Sequence, residues 1–469
     1  MKSPAIYLDR FKTDRSKWLW LFLLGLPSAA ALLWLTQPSW QFQWERWQDR
    51  FGNRLEQPYR YEFEPVDTDP TTLLQQEMGF YQDILRQYPD RALEQAALAT
   101  TYLRMARTTG ASNWYLLADQ TAQKSLSLLP IDNSEALTVL ARVAEARHDF
   151  ATALQLANQI PQPQEALPIQ VTANLAIGEL DAADRAAKTL VDLTLSMNAF
   201  TLQALVDAAQ GEDQQALNNF QYALEVEEAG ELSSSARTRT LLGRFHYERG
   251  QLERAAQLYR EALRILPTYT PALLNLAQLE LRQGDWRAAD RHYRQAQQAQ
   301  SGITVFAPLI LRGQAQVALR QGQRSTAESL WAKAETQLRQ SVDGSASFAF
   351  GHRRDLAKLL LERGNPADRS EAISLMAAEV QQRRDANTLS TYATALSQSK
   401  RWQEAQSIVQ TALDLGTKDA GLCHQAAQIA TALGNTDQAT QYHNQQRSID
   451  PAFDMTAQQV MDLGVGLGL

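Results

Sequence analysis

The chain has 469 residues, 45 Lys and Arg against 52 Asp and Glu, a net charge of −7 and a pI near 5.6. That balance argues against a nucleic-acid partner, which calls for a basic face, and the single cysteine, Cys423, excludes an intramolecular disulfide framework. The length would hold two or three ordinary domains, but a composition rich in Ala, Leu and Gln with scattered charges suits stacked amphipathic helices.

The N-terminal tail, residues 1–17, carries Lys2, Arg10, Lys12, Arg15 and Lys17, and no charged side chain follows between Trp18 and Trp44. Within that stretch residues 18–36 form an apolar run with Trp18 and Trp20 at one end and Trp34 at the other. Roughly 20 apolar residues span a bilayer, and tryptophans gather at its interfaces. Pro27 near the middle is tolerated in a membrane helix. A cleaved signal peptide, processed at Ser28-Ala29-Ala30-Ala31, is the rival. The apolar run continues through Leu32–Leu35, past the cleavage point, which favours an uncleaved single-pass anchor in contact with the lipid bilayer. Arg46, Arg50 and Arg54 flank the far side, so the positive charge leans the tail inward and the rest of the chain outside the cytoplasm. Residues 37–71, with Pro58, Pro65 and Pro70, form a juxtamembrane helix and an extended spacer.

From residue 72 the pattern is helical. Thr72–Tyr88 places Leu74, Met78, Tyr81 and Leu85 on one face, and further helices follow in pairs. Two segments, Ala236–Pro267 and Thr270–Gln300, superpose at an offset of 34 residues: Gly250 falls on Gly284, Ala255 on Ala289, Tyr259 on Tyr293 and Ala262 on Ala296. Ala255, Tyr259 and Ala262 are four and three apart and share a helical face. Gly250 and Gly284 sit where a helix end takes a left-handed residue. Pro267 ends the unit because proline cannot continue a helix. Small residues equivalent to Ala255 recur at Ala118, Ala153, Ala183, Ala216, Ala289, Ala327, Ala372, Ala405 and Ala439, at spacings of 30 to 45. Turn glycines recur at Gly178, Gly211, Gly322, Gly364 and Gly434, and second-helix aromatics at Phe220 and Trp331. Nine to ten helix pairs over residues 72–452 follow, with a cap and tail at 453–469. The glycines of 464–469 are expected to fray.

The run Leu242-Gly243, Gly250, Ala255, Tyr259, Ala262 and Pro267 resembles the tetratricopeptide repeat, and with the anchor the chain is similar to bacterial membrane-anchored proteins of that kind. The resemblance implies an all-α, right-handed superhelical solenoid of antiparallel helix pairs whose first helices line a concave groove. Groove-facing candidates are Arg237, Thr240, Arg244 and Tyr247, then Leu274, Gln278 and Arg282, then Arg312, Gln316 and Arg320. Arginines beside Tyr and Leu suit a peptide carrying acidic residues. The family's clamp for chaperone C-termini is not matched: of its basic and Asn positions only Arg312 agrees.

No phosphate loop, nucleophile elbow or dinucleotide fingerprint is present. The six histidines are scattered; Glu145 and His148 share a helical face, but no second copy supplies further ligands, so they are expected to be a solvated surface pair, and Cys423 a small core residue. Neither a metal, a cofactor nor catalysis is expected. The sequence thus points to a non-enzymatic scaffold that binds proteins or peptides in its groove, an assembly or accessory factor for a membrane complex. A regulatory or substrate-presenting subunit of an envelope biosynthesis enzyme is the alternative, and self-association through an end of the solenoid is a further expectation.

Overall fold

A computed structural model describes residues 61–63, 70–300, 304–342 and 352–467, within the unit formed by residues 59–469. The expected anchor at 18–36 lies outside the described residues, among which no helix is long and apolar enough to cross a membrane.

The described residues are all-α. A lone helix α1 (Pro70–Gln87) is followed by ten pairs: α2 (Ala92–Thr109) with α3 (Ser112–Leu128), α4 (Ser134–Ala146) with α5 (Phe150–Ala157), α6 (Pro163–Ile177) with α7 (Leu180–Thr194), α8 (Met197–Ala209) with α9 (Asp213–Glu225), α10 (Leu232–Glu248) with α11 (Leu252–Ile265), α12 (Thr270–Arg282) with α13 (Trp286–Gln298), α14 (Ala307–Arg320) with α15 (Arg324–Val342), α16 (Arg353–Arg363) with α17 (Asp368–Glu379), α18 (Ala386–Gln398) with α19 (Trp402–Asp414), and α20 (Ala420–Ala432) with α21 (Thr436–Ile449). A short α22 (Met455–Val460) follows.

Local chemistry starts and stops these helices. Asn133, Asp149, Ser196, Asp285, Asp385, Asp419 and Asp454 each accept a backbone N–H of the turn they precede, satisfying one of the donors a helix start leaves bare. The reversal inside every pair runs through one left-handed residue. Glycine serves in eight: Gly110, Gly178, Gly211, Gly250, Gly284, Gly322, Gly364 and Gly434. His148 (φ 59°) and Lys400 (φ 60°) take the same place in the other two, so a glycine search misses the α4/α5 and α18/α19 turns.

Packing follows the small residues. All ten crossing alanines are buried, nine of them fully, which lets the two helix backbones approach. Phe220, Tyr259 and Tyr293 fill the space beside them and are fully buried. At Gly243 a Cβ would stand 2.6 Å from the Tyr259 ring, so the ring occupies the volume that the glycine leaves. First helices pack on the next one from α2 through α14 and again from α16 through α20, and α14 meets α16 through Arg312 and Glu362. The first helices therefore form a continuous inner row.

Successive turns of this row touch. Val305 N–H donates to the Gly110 carbonyl at 3.0 Å. Arg384 N–H donates to the Ala176 carbonyl at 2.8 Å, and the Thr417 hydroxyl to the Ala209 carbonyl at 2.7 Å. Gly211 lies against the Gly416 carbonyl, and Gly250 against the Asp450 carboxylate. Each of these tips meets the loop that follows the pair five places further along the chain. The turns are closed on each other, with an enclosed lumen instead of an open groove.

Lys400 is exposed and its left-handed backbone costs about 1 kcal/mol that glycine avoids. Lys400→Gly should therefore raise the urea midpoint at an unchanged slope, by about 0.5 kcal/mol once the added freedom of the unfolded chain is subtracted. A lowered midpoint would show that the turn is unstrained.

Candidate binding surface inside the superhelix

The inner row places the groove candidates, and most of them already hold something. The Thr240 hydroxyl donates back to the Ala236 carbonyl at 2.7 Å. Arg244 reaches Glu248 at 2.7 Å and Gln278 at 2.7 Å and lies over the buried Tyr247 ring. Arg312 and Gln316 are both tied to Glu362, at 2.8 and 2.7 Å.

Four others, Leu274, Gln278, Arg282 and Arg320, grip the chain's own C-terminal segment, a role the sequence did not suggest. The Gln278 side-chain amide donates to the carbonyls of Val460 and Met461, each at 2.7 Å. Val465 N–H donates to Asn275 Oδ1 at 2.6 Å. Leu274 packs in one apolar cluster with Val460 and Leu463. At the edges Arg282 pairs with Asp450 at 2.6 Å, Lys358 with Asp462 at 2.6 Å, and Arg320 donates to Gln459 at 2.9 Å. The expectation that residues 464–469 fray is corrected for 464–467. Gly464 lies so close to Gln278 and Asn275 that a Cβ would collide with both side-chain oxygens, and Leu467 packs on the core formed by α8 and α10. Glycine here permits a close approach instead of signalling a loose end.

Leu467 borders a cavity of about 90 Å³ whose lining also includes Thr172, Leu205 and Asn387 and the charged side chains of Glu248, Arg383, Asp385 and Asp419. Arg107 on α2, Arg142 on α4 and Arg237 on α10 are near enough for each charge to disfavour the next. Arg142 is satisfied by Glu145 at 2.8 Å and Thr172 at 3.2 Å. Arg107 keeps an exposed face yet is ringed by protein, and this desolvation followed by the neighbouring arginines brings its guanidinium down to about 10. Arg237 is lowered for the same first reason.

The Glu145–His148 expectation is also corrected. Glu145 serves Arg142, and His148 turns to the next superhelical turn, its Nδ1 at 3.3 Å from the fully buried Glu379 and its ring stacked on Phe150. His352 stands edge-on to it, with ring centres 6.4 Å apart. No group of three or more His, Cys, Asp or Glu among the described residues is placed to hold a metal. Cys423 is buried, and burial pushes its thiol up to about 12, which leaves it unreactive.

The family model that matches is described as "Tetratricopeptide repeat" and covers residues 246–302, the end of α10, all of α11 to α13 and the turns between them. Together with the repeated pair at residues 236–300, this identifies a tetratricopeptide-repeat segment within the chain. None of the curated proteins matches. Among solved structures it is similar to a chain of the crystal structure of the APC/C hetero-tetramer Cut9–Hcn1, at 13% identity over 84% of this chain and 94% of that one, with a TM-score of 0.33; that overlap is too low to argue from.

Burial is the leading cause that lowers His148, and it holds His352 and His246 at about 4. Unfolded histidines take up a proton near pH 6.5, so unfolding absorbs protons between those values. The stability these residues add is complete above pH 6.5 and is lost as pH falls towards 4. Urea midpoints at pH 7 and pH 5 should fall further for the native chain than for the His148→Gln, His352→Gln variant. Equal falls would remove these two residues as the cause.

Proposed function

We propose that the chain is a polypeptide-binding scaffold whose inner face takes extended segments, held at a bilayer by residues 18–36 and serving assembly of a membrane complex. The observation that carries this is the grip on residues 460–465. Gln278 and Asn275 hold main-chain groups, a mode that gives affinity with little regard to sequence, while Leu274 and its neighbours accept apolar side chains at Val460 and Leu463. Side chains that bond to main-chain carbonyls and amides are what a peptide groove requires. The tail occupies the stretch from α12 to α16 and stands where a partner segment would lie.

A chain ending at Phe453 should bind a labelled peptide of residues 454–469 added in solution, and Gln278→Ala should weaken it by about tenfold, the loss of two hydrogen bonds. Absence of binding by the truncated chain would sink the peptide-groove reading. The bilayer part is tested separately: the full chain should stay in the membrane pellet through alkaline carbonate, and protease added to intact spheroplasts should digest the repeats. Release by carbonate would refute the anchor, and protection would reverse the orientation.

A further inference from the structure

Closure leaves different surfaces at the two ends of the superhelix. The tips of the first pairs meet the loops that follow later pairs, as at Gly110 with Val305 and Gly211 with Gly416. The loops that follow α1 and the first four pairs have no superhelical turn beyond them and form a rim. Large apolar side chains stand outward on it: Tyr88 at the end of α1, Leu128 and Ile131 at the end of α3, Leu193 and Leu195 at the end of α7, and Val226 at the end of α9. Ile131 is 72% exposed and Leu195 62%. Past Val226 the described residues expose one large apolar side chain, Met455.

In the second superhelical turn a comparable loop is packed away. Val305 joins the apolar cluster of α2 to α4, and the Phe306 ring lies against Gly110. Single exposed apolar side chains are ordinary, but a row of them along one edge marks a contact surface. Leu195 also holds a left-handed backbone, with φ of 43°, which glycine takes freely and leucine does not. A turn that only faced water would gain nothing from leucine there.

The same rim receives the chain from its N-terminal part. The Arg239 guanidinium lies 5.6 Å from the centre of the Tyr61 ring. Arg239, near the start of α10, is held by Glu227 at 2.5 and 2.9 Å, and Glu227 directly follows Val226. Residues 37–60 separate Tyr61 from the apolar run at 18–36.

We propose that the rim carrying Ile131, Leu193, Leu195 and Val226 rests on the lipid bilayer, as a second membrane contact beside the anchor. The proposal rests on the reading of residues 18–36 as a membrane span and adds a contact made by the repeats themselves. Apolar side chains that dip into the headgroup region bind in proportion to the apolar area they bury, and a tyrosine such as Tyr88 suits that depth. Asp132, Glu228 and Glu231 are exposed on the same rim, so the fitting surface has uncharged headgroups; an anionic one repels them. The tips at Gly284, Gly322, Gly364 and Gly434, where an added Cβ would meet no described atom within 4 Å, then point away from the membrane.

The test uses the full chain in phosphatidylcholine vesicles with one nitrobenzoxadiazole-labelled cysteine at a time. Cys423 is buried and stays unlabelled. Probes at Ile131→Cys and Leu195→Cys report the rim, Asn365→Cys the tip between α16 and α17, and Leu24→Cys the expected span. Doxyl-labelled lipid should quench the two rim probes and the Leu24 probe and leave the Asn365 probe bright. Adding Leu193→Glu and Val226→Glu should remove most of the quenching at Ile131, and phosphatidylglycerol in the vesicle should lower it. Quenching at Leu24 with none at Ile131 and Leu195 would overturn the rim contact and leave the anchor standing. Absence at all three would remove the anchor with it. An Ile131 probe whose emission shifts blue with protein density, yet escapes lipid quenching, would assign the rim to a second copy of the chain and overturn the proposal. Equal quenching at Asn365 and Ile131 would overturn it too, since the repeats would then have no membrane-facing side.

Discussion

The tip-to-loop contact between successive turns is the interaction on which the rest of this structure depends. A helix pair cannot bury its own apolar face and must stack on neighbours, but stacking alone gives an open spiral. Closure arises here because the tips are bare. Gly211 has no side chain to hold the Gly416 carbonyl away, Gly178 brings the Ala176 carbonyl up to the amide of Arg384, and Gly250 receives Asp450. At Gly211 the same absence of a Cβ is used twice, for the left-handed turn and for close approach. Where His148 replaces glycine, the tip reaches the next turn through its ring instead, towards Glu379 and His352.

Closure changes what an inner residue is. In an open groove an arginine on a first helix is solvated and costs nothing to leave unpaired. Inside a lumen it must find a partner or stay poorly hydrated. Most found one: Arg244 on Glu248, Arg312 on Glu362, Arg282 on Asp450. Between two buried charges such pairing mainly avoids a penalty instead of adding stability, so these pairs set the lumen's shape more than its strength.

The helix pairs were legible in the sequence because their signals are local. An alanine at the crossing, an aromatic four residues on and a glycine at the turn each report on neighbours within one repeat, and Ala255, Tyr259 and Gly250 needed no knowledge of the rest of the chain. The two turns without glycine escaped because His148 and Lys400 bear the left-handed strain silently. The lumen was not legible. Whether Gln278 meets Val460 depends on how many pairs complete one turn, and that number comes from small rotations summed over several repeats. Periodicity fixed which residues face inward, and only the summed rotation fixed what they face.

The tail shows the same limit from the other side. A run of alternating glycine and aliphatic residues has no helical face and, alone, reads as a loose end. Its order comes from the surface it meets. Val460 and Leu463 find an apolar wall at Leu274, and the polar backbone between them finds Gln278 and Asn275. Gly464 then fits where any side chain would be expelled. Complementarity of this kind is a property of a ligand and its site, and the wall at Leu274 and Gln278 would present the same groups to another chain once the tail had left it. The tail's docking thus sets the affinity that a competing segment must exceed.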